Sequence, residues 1–214
     1  MTVLSAQSIR RLCVPNYVRE YISIYHHKIL NRYVIDTLEK PLIAPFVERG
    51  TQNGKSFGLS SCTYDCRIAE EELILEPMPF WIVAEFLQRM AHQDFMHAEE
   101  YSEFKDRISN TNYTALASTI ERFAFPANIC GSVLDKSSYA RVFISAFNTH
   151  LDPGWEGFLT VELINCGNTT IHYKRGDPVC QVKFEWLDEP TDLPYRGKYQ
   201  NQEPGPQPAR NEPS

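Results

Sequence analysis

The 214-residue sequence has no apolar run long enough to cross a bilayer, and its opening, "MTVLSAQSIRRLCV", lacks the hydrophobic stretch of a signal peptide. These absences set the expectation of a soluble, cytoplasmic protein with no membrane partner. A basic excess is missing too. The 27 Asp and Glu outnumber the 21 Lys and Arg, for a formal net charge of −6. The chain therefore lacks the net positive face that neutralising a nucleic-acid backbone requires, although a local cluster of cations can still hold a small anion. Cysteines are present at 13, 62, 66, 130, 166 and 180, but no two form a Cys-x-x-Cys pair, and most stand in apolar, strand-like surroundings. They read as reduced core thiols. Internal repeats are absent. The length fits one domain with an insertion, large enough to bury its own core without staples.

What is present is mainly β texture. Ser5 is placed to cap a short N-terminal helix with Ile9, Leu12 and Cys13 at helical spacing. "PLIAPF" (41–46) and "FGLSSCTYDCRIA" (57–69) then read as strands. From Pro79 to about Ile108 the period becomes helical, with Phe80, Val83, Ala84, Leu87, Met90 and Ala91 on one face and the charged "HAEEYSEFKDR" beyond. That face is expected to pack on the β domain or on a neighbouring subunit. Six more short apolar segments follow, "YTALAST", "ANICGSVL", "FISAFNT", "GFLTVELIN", "TTIHY" and "DPVCQVKFEWL", separated by Pro, Gly or Asn. Such spacing predicts a sandwich or barrel rather than alternating β-α units. The expected organisation is one β domain over 1–187 with a helical insertion at about 76–111. A flexible tail, 188–214, is too rich in Pro, Gly, Gln and charge to bury itself.

Four signals carry chemistry. "HAE" at His97–Glu99 matches half of the zinc deaminase signature, but the Pro-Cys-x-x-Cys that completes such a site is missing. His92, Asp94 and His97 do not share one helical face, so no metal site is expected. In "DKSSYAR" (135–141), Ser137 and Arg141 either cap a helical turn with the arginine in solvent or meet in a pocket as hydroxyl and cation. On the strand "GFLTVELIN", Thr160, Glu162 and Ile164 share one face, directed either to water or to a site. Burial of Glu162 beside Val161 and Leu163 would raise its pKa toward the range where one carboxylate can both take and return a proton. The tail "PYRGKYQNQEPGPQPAR" is either disordered or a flap that closes on an anion.

Taken in order, "LSAQSIRRL", "LIAPF", "SSCTYDCRI", "TALASTIERFAFP", "KSSYAR", "LDPGWEGFLTVELINCGN" and the terminal "KYQNQEPGPQPAR" resemble the dCTP deaminase branch of the trimeric dUTPase superfamily. The resemblance covers most of the chain apart from about 14–40 and 76–111. It implies a distorted jelly-roll β-barrel of the dUTPase type, assembled as a homotrimer with sites shared between subunits. It implies zinc-free hydrolysis of dCTP, or a related deoxycytidine nucleotide, to dUTP and ammonia. Mg²⁺ rides on the substrate phosphates, and dTTP is the expected feedback inhibitor. Glu162 matches the acid that activates water, and Ser137 and Arg141 match the pair that orders it. Lys136, His150, Asp152 and Trp155, with Tyr195, Lys198 and Gln202 of the tail, match the substrate-binding set. Within it Asp152 lies near the sugar and the tail residues cover the triphosphate. Lys136 and His150 stand where the family carries arginine, and the segment from Arg141 to Asp152 is two residues short. A dUTPase, a bifunctional deaminase and pyrophosphatase, and a non-catalytic nucleotide-binding regulator are the alternative readings.

Overall fold

A computed structural model describes residues 2–14, 40–92, 100, 103, 111–147 and 149–211. The chain begins with strand β1 (Thr2–Val3) and helix α1 (Ala6–Cys13), whose N-cap Ser5 accepts a hydrogen bond from the Ser8 backbone N–H. Ile9, Leu12 and Cys13 of α1 are buried, as their spacing predicts. Short strands β2 (Ile43–Ala44), β3 (Gly50–Gln52), β4 (Lys55–Leu59), β5 (Thr63–Arg67) and β6 (Glu72–Leu75) lead to helix α2 (Phe80–His92). After it come β7 (Thr114–Ala124), β8 (Ile129–Asp135), the single turn α3 (Ser137–Ala140), β9 (Ile144–Ala146) and β10 (His150–Leu151). The long β11 (Glu156–Asn165), β12 (Ile171–Lys174) and β13 (Pro178–Trp186) complete the strands.

The strands build two large antiparallel sheets and a two-stranded one, β12-β6. One large sheet runs β10-β8-β13-β5-β4-β3, with β1 also on β13, and the other runs β2-β7-β11-β9. They meet across an aromatic core in which Phe123 of β7 lies 6.4 Å from Phe184 of β13, while Phe125 and Trp155 pack at 5.7–6.5 Å around them. Such ring pairs add about 0.5–1.5 kcal/mol each beyond the area they bury. This is a mainly β architecture of jelly-roll type with a helical segment between β6 and β7, in agreement with the sequence.

The insertion is closed at its base by one buried residue. Asn165, at the end of β11, accepts from the Met78 N–H and donates its own N–H to Tyr113 O. Its side chain donates to Leu75 O and Thr169 O and accepts from the Gly167 N–H. The start and end of the insertion are thereby stitched to the same strand end. At its described positions the face that periodicity marked out on helix α2 is largely open: Phe80 is 82% and Leu87 59% exposed, Val83 is exposed as well, and Ala84 is half-buried. The side chains of Met90 and Ala91, and the "HAE" residues, lie outside the described residues. No helix among the described residues is long and apolar enough to cross a membrane.

Candidate active site

Strand β11 alternates half-buried and buried positions along its whole length, which puts Thr160 and Glu162 on one face. Its pairing with β7 slips between Phe158 and Thr160, and Thr119 Oγ1 fills the irregularity by accepting from the Leu159 N–H. Such a bulge re-aims the strand. The Thr160/Glu162 face opens into a cavity of about 500 Å³. Its walls come from Leu116 of β7, from residues 149–152, from Trp155, and from Tyr195, Tyr199, Gln202 and Gln207 of the tail. Leu116 stands directly opposite Glu162 in the ladder.

Burial against these walls pushes the Glu162 carboxyl up from its ordinary value, partly offset by a hydrogen bond from its own backbone N–H. Among the described residues no cation pairs with it. The cause of the shift differs from the one the sequence suggested. Val161 and Leu163 point to the opposite face, because successive strand residues alternate, so the cavity walls desolvate Glu162 rather than its chain neighbours.

The tail lies along the open edge of β11. Asn201 N–H donates to Glu156 O at 2.8 Å and Phe158 N–H to Gln202 O at 3.0 Å, while Gly157 and Gln202 form a parallel bridge. The approach is close enough to require glycine. A Cβ on Gly157 (φ +152°) would lie 2.7 Å from Gln202 N, and one on Gly154 (φ +83°) 2.6 Å from Pro194 Cβ. Trp155, buried against Phe123 and Phe125, donates its indole N–H to Tyr199 O at 2.8 Å. Tyr195 N–H donates to Pro153 O, and the Tyr195 hydroxyl accepts from the Tyr199 N–H. Gln202 Nε2 donates to Thr160 Oγ1 at 2.5 Å, and Gln207 N–H donates to the same oxygen at 3.0 Å.

The remaining sequence-marked residues divide into two groups. His150 and Asp152 stand together in the cavity lining, half-exposed, with His150 Nε2 3.7 Å from Asp152 Oδ1. Lys136 is buried with its ammonium 2.7 Å from Asp65 Oδ2. Burial raises the Asp65 carboxyl from its ordinary value and Lys136 opposes the rise. Lys136 is thus occupied by a carboxylate from β5 instead of pointing to solvent. Ser137 and Arg141 are exposed on and just after α3, outside the cavity lining, with Arg141 Nη1 donating to Ser137 O at 3.1 Å. Lys136 holds the N-cap position and no side chain caps the turn, so Ser137 is the first residue of α3 and not its cap. Lys198 also lies off the cavity, its ammonium 5.5 Å from the Tyr199 ring centre.

Sequence reading did not mark Leu116, Tyr199 or Gln207 as walls. The β7–β11 register would have revealed Leu116, but nothing local reveals the other two. A second buried pair was also unmarked. Glu121, fully buried, accepts from both the backbone N–H and the Nε of Arg67. Among the described residues no group of three or more His, Cys, Asp or Glu is arranged to hold a metal ion.

Comparison with known proteins adds an independent observation. The family model for dCTP deaminase-like proteins matches residues 31–187. A dCTP deaminase from Acidobacterium capsulatum is 32% identical over 177 residues, covering 81% of this chain and 93% of that protein. One from Novosphingobium aromaticivorans is 34% identical over 174 residues, covering 77% and 89%. The crystal structure of 2′-deoxycytidine 5′-triphosphate deaminase from Agrobacterium tumefaciens superposes with a TM-score of 0.45 at 16% identity, over 86% of this chain and 49% of that one.

Proposed function

The chain belongs to the dCTP deaminase-like family, and from that premise we propose that it hydrolyses the 4-amino group of dCTP, or of a related deoxycytidine nucleotide, releasing ammonia and leaving dUTP. The observation that supports this reading most is Glu162, a half-buried carboxylate with raised proton affinity on the wall of a cavity of about 500 Å³. That volume lies within the roughly 300–1,000 Å³ typical of small-ligand sites.

In this reading Glu162 takes a proton from water as the oxygen attacks C4 of cytosine, and delivers it to N3. The tetrahedral intermediate collapses when the C4–N bond breaks, with Glu162 passing the second water proton to the departing amine. Ammonia leaves and C4 keeps the oxygen, which is uracil. A single carboxylate can serve each step if its proton stays local, and a pKa lifted by desolvation favours that shuttling. No step draws on zinc. Mg²⁺ belongs to the substrate, bound to its phosphates.

Among the described residues no cation pairs with Glu162, while Ser137 and Arg141 stand exposed outside the lining of its cavity. A homotrimer that brings α3 of one subunit to the cavity of another supplies both deficits. Arg141 then opposes the raised pKa of Glu162, and Ser137 holds the water. Asp152, with His150 beside it, takes the sugar side, and Tyr195 and Lys198 of the tail cover the phosphates. Lys136, engaged with Asp65, supports the turn that carries Ser137 and does not itself reach phosphate. A dTTP inhibitor would occupy the same cavity.

The test is to incubate the purified protein with dCTP, dCMP or dUTP and Mg²⁺, then resolve products by chromatography alongside ammonia release. Equimolar dUTP and ammonia from dCTP is the expected result. Accumulation of dUMP and pyrophosphate would make the enzyme bifunctional. Saturable binding without turnover would make it a regulator.

A further inference from the structure

We propose that Thr160 is a positioning residue that latches the tail across the Glu162 cavity, so that tail docking and nucleotide binding become one event; the inference rests on the deaminase reading of that cavity. Thr160 shares its strand face with Glu162 and lines the same cavity. Its Oγ1 accepts two hydrogen bonds, both from the tail, at 2.5 Å from Gln202 Nε2 and 3.0 Å from the Gln207 backbone N.

A threonine hydroxyl has two lone pairs and one proton. With both lone pairs given to the tail, what remains is an O–H donor beside the reacting carboxylate, suited to a ligand or water oxygen in the cavity. The tail's backbone pairing with β11 ends at Gln202. Beyond that point, among the described residues, the Gln207 bond to Thr160 is where the tail is again hydrogen-bonded to the strand. The stretch it secures carries Gln207 and Ala209 of the cavity wall and leads to Arg210, whose N–H returns to the Tyr199 hydroxyl. Valine has the same shape and suits a strand equally well, but it offers the tail no acceptor.

The experiment uses full-length protein and four variants: Thr160→Val, Thr160→Ser, Gln207→Pro, and Thr160→Val combined with Gln207→Pro. Two quantities are read, the kcat and KM of ammonia release from dCTP and the rate of trypsin cleavage at Arg196, Lys198 and Arg210. Thr160→Val should raise KM about tenfold, the equivalent of one to two neutral hydrogen bonds, with kcat changed by less than about threefold. Cleavage of the tail should accelerate in parallel. Thr160→Ser should restore both. Gln207→Pro, which removes the backbone donor together with the side-chain bonds to Gly205 O and Arg210, should raise KM as well. The rise in KM that Gln207→Pro causes should be smaller in the Thr160→Val background than in the wild type, because the bond the two residues share is already gone there. Wild-type KM and cleavage rate in Thr160→Val would overturn the latch, as would a kcat defect that serine fails to rescue. Absence of ammonia from the wild type would instead remove the deaminase reading, and the trypsin arm would still decide whether Thr160 holds the tail.

Discussion

Replacing Glu162 with Gln keeps the side chain's size and its place on β11 but leaves nothing that can accept a proton. The other carboxylate of the cavity lining, Asp152, is exposed, so no second buried carboxylate takes over. Loss of a positioned general acid and base costs on the order of 10²–10⁴ in rate, or roughly 2.7–5.4 kcal/mol of barrier at about 1.36 kcal/mol per decade. The expected result is a kcat lowered by that factor, with nucleotide affinity within about threefold of wild type because uniform binding is untouched. A coupled ammonia assay and a calorimetric titration measure the two. The same substitution has a stability signature. Burial raises the Glu162 carboxyl above its ordinary value. Below that ordinary value the group is protonated whether the chain is folded or unfolded, and it contributes nothing. As pH rises through the ordinary and then the raised value, ionisation favours the unfolded chain and the wild type loses stability that Glu162→Gln retains. The variant should therefore melt higher than wild type near neutral pH and at the same temperature in acid. The gain should grow in an Arg141→Ala background, where no neighbouring guanidinium offsets the burial. Near-normal ammonia release by Glu162→Gln would refute the reasoning. A lowered Tm near neutral pH would refute the desolvation argument.

Three other outcomes are expected. Asp152→Asn should raise KM for dCTP roughly 10- to 100-fold by removing one charge-assisted hydrogen bond, with dUTP still the product; steady-state kinetics with product chromatography checks this, and an unchanged KM would remove Asp152 from the binding set. Arg67→Ala should destabilise the fold by about 3–5 kcal/mol, because it removes the guanidinium that pairs with the fully buried Glu121 and leaves that carboxyl only backbone N–H donors; a shift in the urea unfolding midpoint worth less than about 1 kcal/mol would contradict that. Deaminase activity should survive strong zinc chelation once Mg²⁺ is resupplied, and a loss that zinc alone restores would overturn the carboxylate mechanism.

The amino-acid sequence by itself determined the local geometry. Period-two alternation along residues 156–165 placed Thr160 and Glu162 on one face, and β11 carries them there. Ser5 and the spacing of Ile9, Leu12 and Cys13 specified α1 and its buried side. The ordered motifs identified the family and singled out Glu162 as the candidate acid, since a motif is a short stretch whose chemistry survives without knowledge of its neighbours. What the tertiary structure decided is who meets whom. Lys136 is taken by Asp65, 71 residues earlier in the chain. The wall opposite Glu162 is Leu116, from a strand separated from it by three further strands in sequence, and the mouth is framed by residues of a tail whose composition reads as disorder. Ser137 and Arg141, close in sequence to a buried lysine, stay at the surface, and Phe80, Val83 and Leu87 of the apolar stripe on α2 stay exposed. Side-chain direction repeats with the backbone's own period and can be read from a few residues. Contacts between sheets depend on register, on one bulge and on the course of the whole chain, none of which any short stretch encodes.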